Sequence, residues 1–300
     1  MVAKYKIGID YGGTKIEGIL LDSSGKEILR KRSTYDKNYQ SGIDTVKSLI
    51  LEFDNYTSKE NTVGVCIPGF SSNETGLVNN ANCIWINDKP FQRDLEKELN
   101  REIKVMNDAN CFALSEAYDG AGIDQEVVFG IIIGTGVGGG LVINKKIING
   151  HNNITGEWGH NQMTQGLNDK WNKHNCYCGK RGCIETYLSG PGFSKHFYDQ
   201  YKIKLDAEQI QKNANDGDEK SLEFIFQYLD YLARGLSQVI NIVDPGVIVL
   251  GGGVSNMKQI YENINSKLKN YVFSDTVNTK ILKNKFGASS GVRGAASLSR

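Results

Sequence analysis

The sequence lacks a long hydrophobic segment. A membrane-spanning helix needs roughly 20 consecutive apolar residues, and the nearest candidate, residues 129–143, is interrupted by repeated glycines. The N-terminal segment, residues 1–7, has no apolar signal core and leads directly into an alternating strand pattern. We therefore expect a cytoplasmic protein that does not associate with a membrane.

An excess of charge of either sign is also absent. The 300 residues carry 35 Lys and Arg against 34 Asp and Glu, which gives a formal net charge of +1. No overall electrostatic field therefore favours nucleic acid or an anionic membrane. The expected partners are small molecules or further copies of the chain. A chain of this length is too long for one small core and fits one large or two medium domains, of which we expect two.

Two common nucleotide-binding motifs are missing. No Gly-x-x-x-x-Gly-Lys-Ser/Thr segment is present for a Walker loop. Gly134-x-Gly136-x-x-Gly139 has the spacing of the dinucleotide fingerprint, but that motif requires a helix after it, and residues 141–143 predict a strand. We therefore reject a Rossmann cofactor site. We also expect no DNA-binding unit before Lys4, where the strand pattern begins.

The six cysteines are unevenly distributed. Cys66, Cys83 and Cys111 are scattered in apolar surroundings, whereas Cys176-x-Cys178-x4-Cys183 places three thiols in one short loop. In a reducing compartment such clustering indicates metal binding. Zinc prefers four tetrahedral ligands, and either His160 or His174 could supply the fourth. A complete set of cysteine and histidine ligands leaves no open position, so we expect a structural zinc.

The hydrophobic pattern predicts two similar α/β halves. The first should contain strands at 4–10, 15–21, 26–33, 63–67 and 103–106, with helices at 41–53, 91–99 and 109–117. The second should contain strands at 127–133, 141–143 and 247–250, with helices at 207–213, 219–242, 256–271 and a small-residue helix at 291–297. Each half begins with strands joined by a glycine-rich turn, which suggests a duplicated architecture. We expect a small N-terminal lobe at 1–118, completed by a C-terminal helix at 290–300, and a large lobe at 119–289 that carries the zinc loop.

Asp108 occupies the junction between a predicted strand and a predicted helix. Parallel α/β sheets place ligands at such junctions, so Asp108 is a candidate catalytic base. The alternative is a helix cap, since Asn and Asp oxygens accept unpaired backbone N–H groups at helix starts. On residues 104–110 alone, the cap is the simpler interpretation.

The two glycine-rich turns, residues 11–14 and 134–140, are candidate phosphate sites. Exposed backbone N–H groups can bind phosphates where side chains would obstruct them. Either turn alone is more simply a hairpin. Asp10, placed just before the first turn, could organise Mg²⁺ around a nucleotide. Residues 251–253 form a third glycine segment, suited to a nucleoside.

Two acidic motifs flank the cysteine cluster: Glu157-Trp158-Gly159-His160 before it and Glu185 after it. A glutamate taken singly is more often a solvated surface charge. Beside a metal site, and across a cleft from Asn107 and Asp108, these groups form hydrogen-bonding partners for sugar hydroxyls. The set therefore indicates a polyol substrate.

Together these motifs resemble the ROK (repressor, open reading frame, kinase) sugar kinases over essentially the whole chain. The resemblance rests on residues 10–15, 107–110, 134–140, 157–160 and 176–185, which occur in the family's order. It implies a duplicated actin/hexokinase-like (ribonuclease H-like) ATPase fold of two lobes with a cleft between them. It also implies ATP with Mg²⁺, a hexose substrate phosphorylated at its 6-hydroxyl, a structural Zn²⁺ and a homodimer.

The resemblance further assigns roles to individual residues. Asp108 would be the general base, and His160 would bind both zinc and the sugar. The substrate-binding set would be Asn82, Asn107, Asp108, Glu157, His160 and Glu185. The nucleotide-binding set would be Asp10, Gly12, Gly13, Thr14, Lys15, Gly134, Thr135, Gly136, Gly138, Gly252 and Gly253. The zinc ligands would be His160, Cys176, Cys178 and Cys183.

The choice of sugar is open to three interpretations. Residues 79–87, 157–161 and 176–180 most resemble the fructokinase or manno(fructo)kinase branch, so we expect fructose and also mannose. The N-acetylglucosamine kinase branch is the alternative, since it shares residues 107–116 almost as well. A sugar-sensing ROK regulator without kinase activity is the alternative of another class. Such regulators usually carry an N-terminal DNA-binding domain, which is not found here.

Overall fold

The computed structural model describes residues 5–163 and 174–298, which contain two five-stranded sheets of the same topology. Strands of the first half are β1 (Lys6–Tyr11), β2 (Ile16–Leu21), β3 (Glu27–Ser33), β4 (Thr62–Ile67), β5 (Phe70–Ser71), β6 (Val78–Asn79) and β7 (Lys104–Asn107). Those of the second half are β8 (Val127–Ile133), β9 (Val137–Ile143), β10 (Lys146–Ile147), β11 (Val247–Gly251) and β12 (Lys280–Lys283).

The sheet orders are β3-β2-β1-β4-β7 and β10-β9-β8-β11-β12, while β5 and β6 form a separate hairpin. In each sheet an antiparallel meander is extended by two parallel strands. The predicted duplication of a β-meander half is therefore confirmed.

Nine α-helices connect or cover these strands in the part of the chain that the structure describes. They are α1 (Tyr39–Thr57), α2 (Phe91–Leu99), α3 (Asp108–Tyr118), α4 (Glu185–Leu188), α5 (Gly190–Tyr201), α6 (Ala207–Asn215), α7 (Glu219–Val243), α8 (Lys258–Leu268) and α9 (Ser290–Ala296). The long helix α7 buries one apolar stripe in the core of the second half, as its helical spacing of hydrophobic residues predicts. None of these helices is both long and apolar enough to cross a membrane.

The C-terminal helix α9 packs directly on the first sheet through small residues. A Cβ atom at Gly8 would lie 2.1 Å from the Val292 carbonyl oxygen, and one at Gly64 would lie 2.0 Å from the Ala295 carbonyl oxygen. Both strand positions therefore require glycine for this close approach. The Arg293 side chain adds an ion pair to Asp119 at 2.6 Å.

Helix α3 lies between α9 and the second sheet. A Cβ atom at Gly294 of α9 would lie 1.7 Å from the Cys111 carbonyl oxygen, and one at Gly140 of β9 would lie 2.8 Å from the Ala109 carbonyl oxygen. Because glycines allow close contact on both sides, α3 is held tightly where the two halves meet. Its first residue, Asp108, is therefore in a fixed position.

Several elements differ from the sequence prediction. Strand β9 begins at Val137 rather than at residue 141, since Ile133 pairs with Val137 and Ile132 with Gly138. The second glycine turn is therefore limited to residues 134–136, and Gly138 lies within a strand. The β5–β6 hairpin, α4, α5 and β12 were not predicted. The strands among them are too short to show a period, and the Gly-Pro-Gly start of α5 resembles a turn although Ser189 caps it.

Candidate active site

Asp108 follows β7 as the first residue of α3, but Asn107 is the main cap of that helix. The Asn107 Oδ1 atom accepts hydrogen bonds from the backbone N–H groups of Ala109 at 2.9 Å and Asn110 at 3.3 Å. Its Nδ2 atom donates to the Gly69 carbonyl oxygen at 2.9 Å. One Nδ2 hydrogen is thus used within the protein. The second Nδ2 hydrogen is the one that the predicted contact of Asn107 with a sugar would use.

The Asp108 carboxylate is strongly influenced by its surroundings. Burial raises its pKa from 3.8 to about 6, and repulsion from Asp10 and Glu157 acts in the same direction. The Ala109 N–H, which donates to Asp108 Oδ1 at 2.8 Å, opposes the rise in pKa. A carboxylate with this pKa is ionised at neutral pH and is more basic than an exposed one, so it is suited to accepting a proton.

Asp10 lies near the end of β1, next to Cys66 of β4. Burial raises the pKa of Asp10, while a hydrogen bond with Cys66 lowers it. Burial alone disfavours the charged form, so a cation near Asp10 would compensate for the lost solvation.

The first glycine turn joins β1 to β2. The Gly12 N–H donates to the Lys15 carbonyl oxygen at 3.1 Å, which closes the turn, and the side chains of Thr14 and Lys15 are exposed. A Cβ atom at Gly13 would lie 3.3 Å from the Cys83 Sγ atom. The predicted substrate residue Asn82 adjoins this thiol and is also exposed. The structure therefore places Asn82 beside the first turn.

The second glycine turn is connected to Glu185. The Gly134 N–H donates to the Gly136 carbonyl oxygen at 2.9 Å, and the Val137 N–H donates to Glu185 Oε2 at 3.0 Å. Glu185 thus links this turn to the cysteine cluster, since its other oxygen lies 3.8 Å from the Cys176 Sγ atom. Thr135, at the tip of the turn, is exposed.

Three other predicted nucleotide-binding glycines have different environments. A Cβ atom at Gly138 would lie 3.1 Å from the Ala109 Cβ atom, so this glycine serves the packing of β9 on α3. Gly252 has a φ of +86°, and a Cβ atom there would lie 2.3 Å from the Ile133 carbonyl oxygen. A Cβ atom at Gly253 would have no neighbour within 4 Å, so this position is open to a ligand.

Glu157 and His160 lie together beside the cysteine cluster. The Glu157 Oε2 atom is 3.9 Å from His160 Nε2. Burial raises the pKa of Glu157 and so does repulsion from Glu185, while His160 opposes the rise. Tyr177 was not among the predicted site residues, yet its hydroxyl lies 3.0 Å from His160 Nε2. The sequence did contain one signal for this residue, namely its position between the two predicted zinc ligands Cys176 and Cys178.

The four predicted zinc ligands lie together. The ligand atoms of His160, Cys176, Cys178 and Cys183 are all within 4.8 Å of one another. The Cys178 and Cys183 Sγ atoms are 3.6 Å apart, and Cys176 Sγ is 3.6 Å from His160 Nδ1. A tetrahedral zinc with Zn–S bonds of about 2.3 Å requires neighbouring sulfurs about 3.8 Å apart, so the residues fit this ion.

The competing histidine, His174, lies elsewhere. Its ring centroid is 4.6 Å from that of His196, and it also faces Tyr187. Of the two candidates that the sequence left open, the structure therefore places His160 with the cysteines.

Comparison with known proteins extends over nearly the whole chain. The ROK family model matches residues 6–300. An N-acetyl-D-glucosamine kinase of Vibrio atlanticus is 38% identical, covering 97% of this chain and 98% of the relative. One of Pasteurella multocida is 37% identical, covering 98% of each chain.

Among solved structures, the ROK hexokinase from Thermus thermophilus is 26% identical with a TM-score of 0.85, covering 97% of this chain and 96% of that chain. This similarity confirms the predicted two-lobed actin/hexokinase-like fold. The family match, the relatives and the fold agree. The chain belongs to the ROK family and is one of its sugar kinases.

Proposed function

We propose that this protein transfers the γ-phosphoryl group of ATP to the 6-hydroxyl of N-acetyl-D-glucosamine. The relatives that are 37–38% identical to the chain are kinases of that sugar, so they favour the alternative branch over the fructose branch expected from the sequence. The observation that carries the chemistry is the half-buried Asp108 carboxylate, whose pKa of about 6 suits a general base.

The proposed mechanism assigns the proton transfer to Asp108. This residue would accept the proton of the sugar hydroxyl as the phosphoryl group transfers in line, while the protein provides positioning and charge stabilisation. The rigid position of α3 between α9 and the second sheet supports this role, because a general base must lie within hydrogen-bonding distance of the proton it removes.

The nucleotide phosphates would be bound by backbone N–H groups of the two glycine turns at 12–15 and 134–136. Exposed turn amides without obstructing side chains are suited to phosphate oxygens. Asp10 would hold Mg²⁺, directly or through water, and the ion would neutralise phosphate charge. Gly253, which has open space around it, would adjoin the nucleoside. Gly138 would contribute through packing rather than by contact with ATP.

The sugar would lie among Asn82, Asn107, Glu157, His160 and Glu185, with zinc on the far side of His160. Zinc would supply no reactive position here, because three cysteines and one histidine complete its tetrahedron. Its role would be to fix the loop and the orientation of the His160 ring. The Nε2 atom of that ring remains directed towards Glu157.

We also propose that the lobes divide as 1–118 with α9 and 119–289, and that they close on the sugar to exclude water. The β5–β6 hairpin and the segment after β10 already interact. Asn153 Nδ2 donates to the Ser71 carbonyl oxygen at 3.1 Å, and Asn73 Nδ2 donates to the His151 carbonyl oxygen at 3.0 Å. A homodimer is the assembly we propose from the family resemblance.

The test is an ADP-release assay with zinc-loaded protein and Mg²⁺. N-acetylglucosamine, N-acetylmannosamine, glucose, fructose and mannose are compared by kcat/KM under one set of conditions. The proposal requires the highest kcat/KM for N-acetylglucosamine. A preference for fructose or mannose would restore the branch expected from the sequence. Sugar binding without turnover would instead identify a sensor.

A further inference from the structure

Tyr177 is a surface residue with one contact that directly involves the proposed sugar site. It lies between the zinc-ligand candidates Cys176 and Cys178, and the residue as a whole is 74% exposed. Its hydroxyl is nevertheless 3.0 Å from His160 Nε2, and the two rings meet edge to face at 85° with centroids 5.2 Å apart. An exposed tyrosine is thus anchored by its hydroxyl to a predicted substrate residue.

The orientation of the His160 ring leaves its Nε2 atom with room for only one strong hydrogen-bond partner. Its Nδ1 atom faces Cys176 Sγ at 3.6 Å, on the side of the cysteines, and its Nε2 atom faces Tyr177 and Glu157. An imidazole that coordinates a metal through Nδ1 carries its proton on Nε2. One N–H group makes one strong hydrogen bond, so Tyr177 and a sugar hydroxyl cannot both be well-aligned partners of Nε2.

We propose that the Tyr177 hydroxyl occupies, in the sugar-free protein, the position on His160 Nε2 that a substrate hydroxyl takes, and that sugar binding displaces it. Tyr177 then competes with the substrate for His160 Nε2 and thereby lowers the affinity of the protein for the sugar. This inference rests on the proposed function only in placing the sugar at His160.

The loop allows such a displacement. The Tyr177 ring is largely in solvent, and the loop turns at Gly179, whose φ is +86° and whose Cβ position has no neighbour within 4 Å. The ring can therefore swing outward without leaving a cavity in the core. When the ring moves, the hydrogen bond between the Tyr177 hydroxyl and His160 Nε2 is lost. The bound sugar must replace this hydrogen bond.

Tyr177→Phe isolates this contribution, because it removes the hydroxyl and retains the ring. We expect KM for the sugar, and the Kd for the sugar measured by calorimetry without ATP, to fall about 2- to 10-fold, the range of one neutral hydrogen bond. The kcat and the KM for ATP should remain within about twofold of the wild-type values. Tyr177→Ala should lower the Kd similarly, provided that the metal content is unchanged.

Tyr56→Phe is the matched control, since Tyr56 is an exposed tyrosine on α1, and it should leave KM and Kd unchanged. An unchanged Kd in Tyr177→Phe would overturn the inference. A raised Kd would also overturn it, because it would mean that the hydroxyl binds the sugar directly. Calorimetry separates this result from failure of the proposed function, which would appear as sugar binding without turnover in the wild-type protein.

Discussion

Replacing Asp108 by asparagine should make the protein more stable at neutral pH and nearly inactive. The substitution keeps an oxygen that can accept from the Ala109 N–H, which donates to Asp108 Oδ1 at 2.8 Å. It removes the charge whose burial is unfavourable and which Asp10 and Glu157 repel. Active sites are where burial and neighbouring charges shift the pKa of a carboxylate. The stability cost of the Asp108 charge therefore accords with its proposed role as the base.

The magnitude follows from the pKa shift. The rise from 3.8 to about 6 corresponds to at most about 3 kcal/mol, at about 1.4 kcal/mol for each pKa unit. Asp108 is only partly buried, so solvent screening reduces this to about 1–2 kcal/mol.

The pH dependence has a definite sign. The folded-state pKa lies above the unfolded value, so Asp108 favours folding below pH 3.8, and this contribution is lost as the pH rises through about 6. The advantage of Asp108→Asn should therefore be full at pH 8 and should shrink between pH 6 and pH 4.

The assay is urea unfolding of the wild type and Asp108→Asn at pH 8, 6 and 5, with the exposed Asp88→Asn as control. Turnover of the hexose should fall about 10²- to 10⁴-fold in Asp108→Asn, while calorimetry should still detect sugar binding. A variant that is less stable than the wild type at pH 8 would refute the reasoning about burial. Substantial retained turnover would remove Asp108 as the base.

The zinc site, helix α9, Asn153 and the pKa of Asp108 each allow a further test. Cys178→Ser should lower the zinc content below the wild-type stoichiometry and lower the melting temperature, as measured by metal analysis and thermal unfolding; a wild-type protein that is fully stable without zinc would contradict this. Gly294→Ala should destabilise the protein by about 1–3 kcal/mol or more in urea unfolding, because its Cβ would overlap the Cys111 carbonyl oxygen; wild-type stability would mean that α3 and α9 can separate at no cost. Asn153→Ala should raise KM for the sugar about 2- to 10-fold through loss of its hydrogen bonds to the β5–β6 hairpin, and an unchanged KM would show that those bonds do not assist closure. Finally, kcat/KM should fall about tenfold per pH unit below about pH 6, where Asp108 becomes protonated; a flat profile to pH 5 would contradict its role.

The local sequence pattern determined much of the fold. Helix α2 has the predicted bounds of Phe91–Leu99, since its periodicity and flanking residues are local signals. The repeated meander with a glycine turn predicted the duplication, because each half repeats the same order of hydrophobic segments. The clustering of Cys176, Cys178 and Cys183 likewise indicated a metal site from spacing alone.

Only the tertiary structure decided between alternatives that depend on distant contacts. His160 rather than His174 lies with the cysteines, because the fold brings residue 160 back against the loop while His174 packs near His196. The sequence pattern predicted Gly138 in a glycine turn, and this was wrong: the pairing of β8 with β9, together with the approach of Ala109, places it in the strand.

Local sequence patterns also could not predict which residues contact the site residues. Asn107 caps α3 and leaves Asp108 at the junction, and Tyr177 reaches His160 although 17 positions separate them. Strand β12 was missed because four residues carry too little periodicity, and its place beside β11 depends on parallel pairing across the sheet. Periodicity in a sequence reports which face of an element is buried, whereas the identity of the neighbour on that face depends on how the whole chain packs.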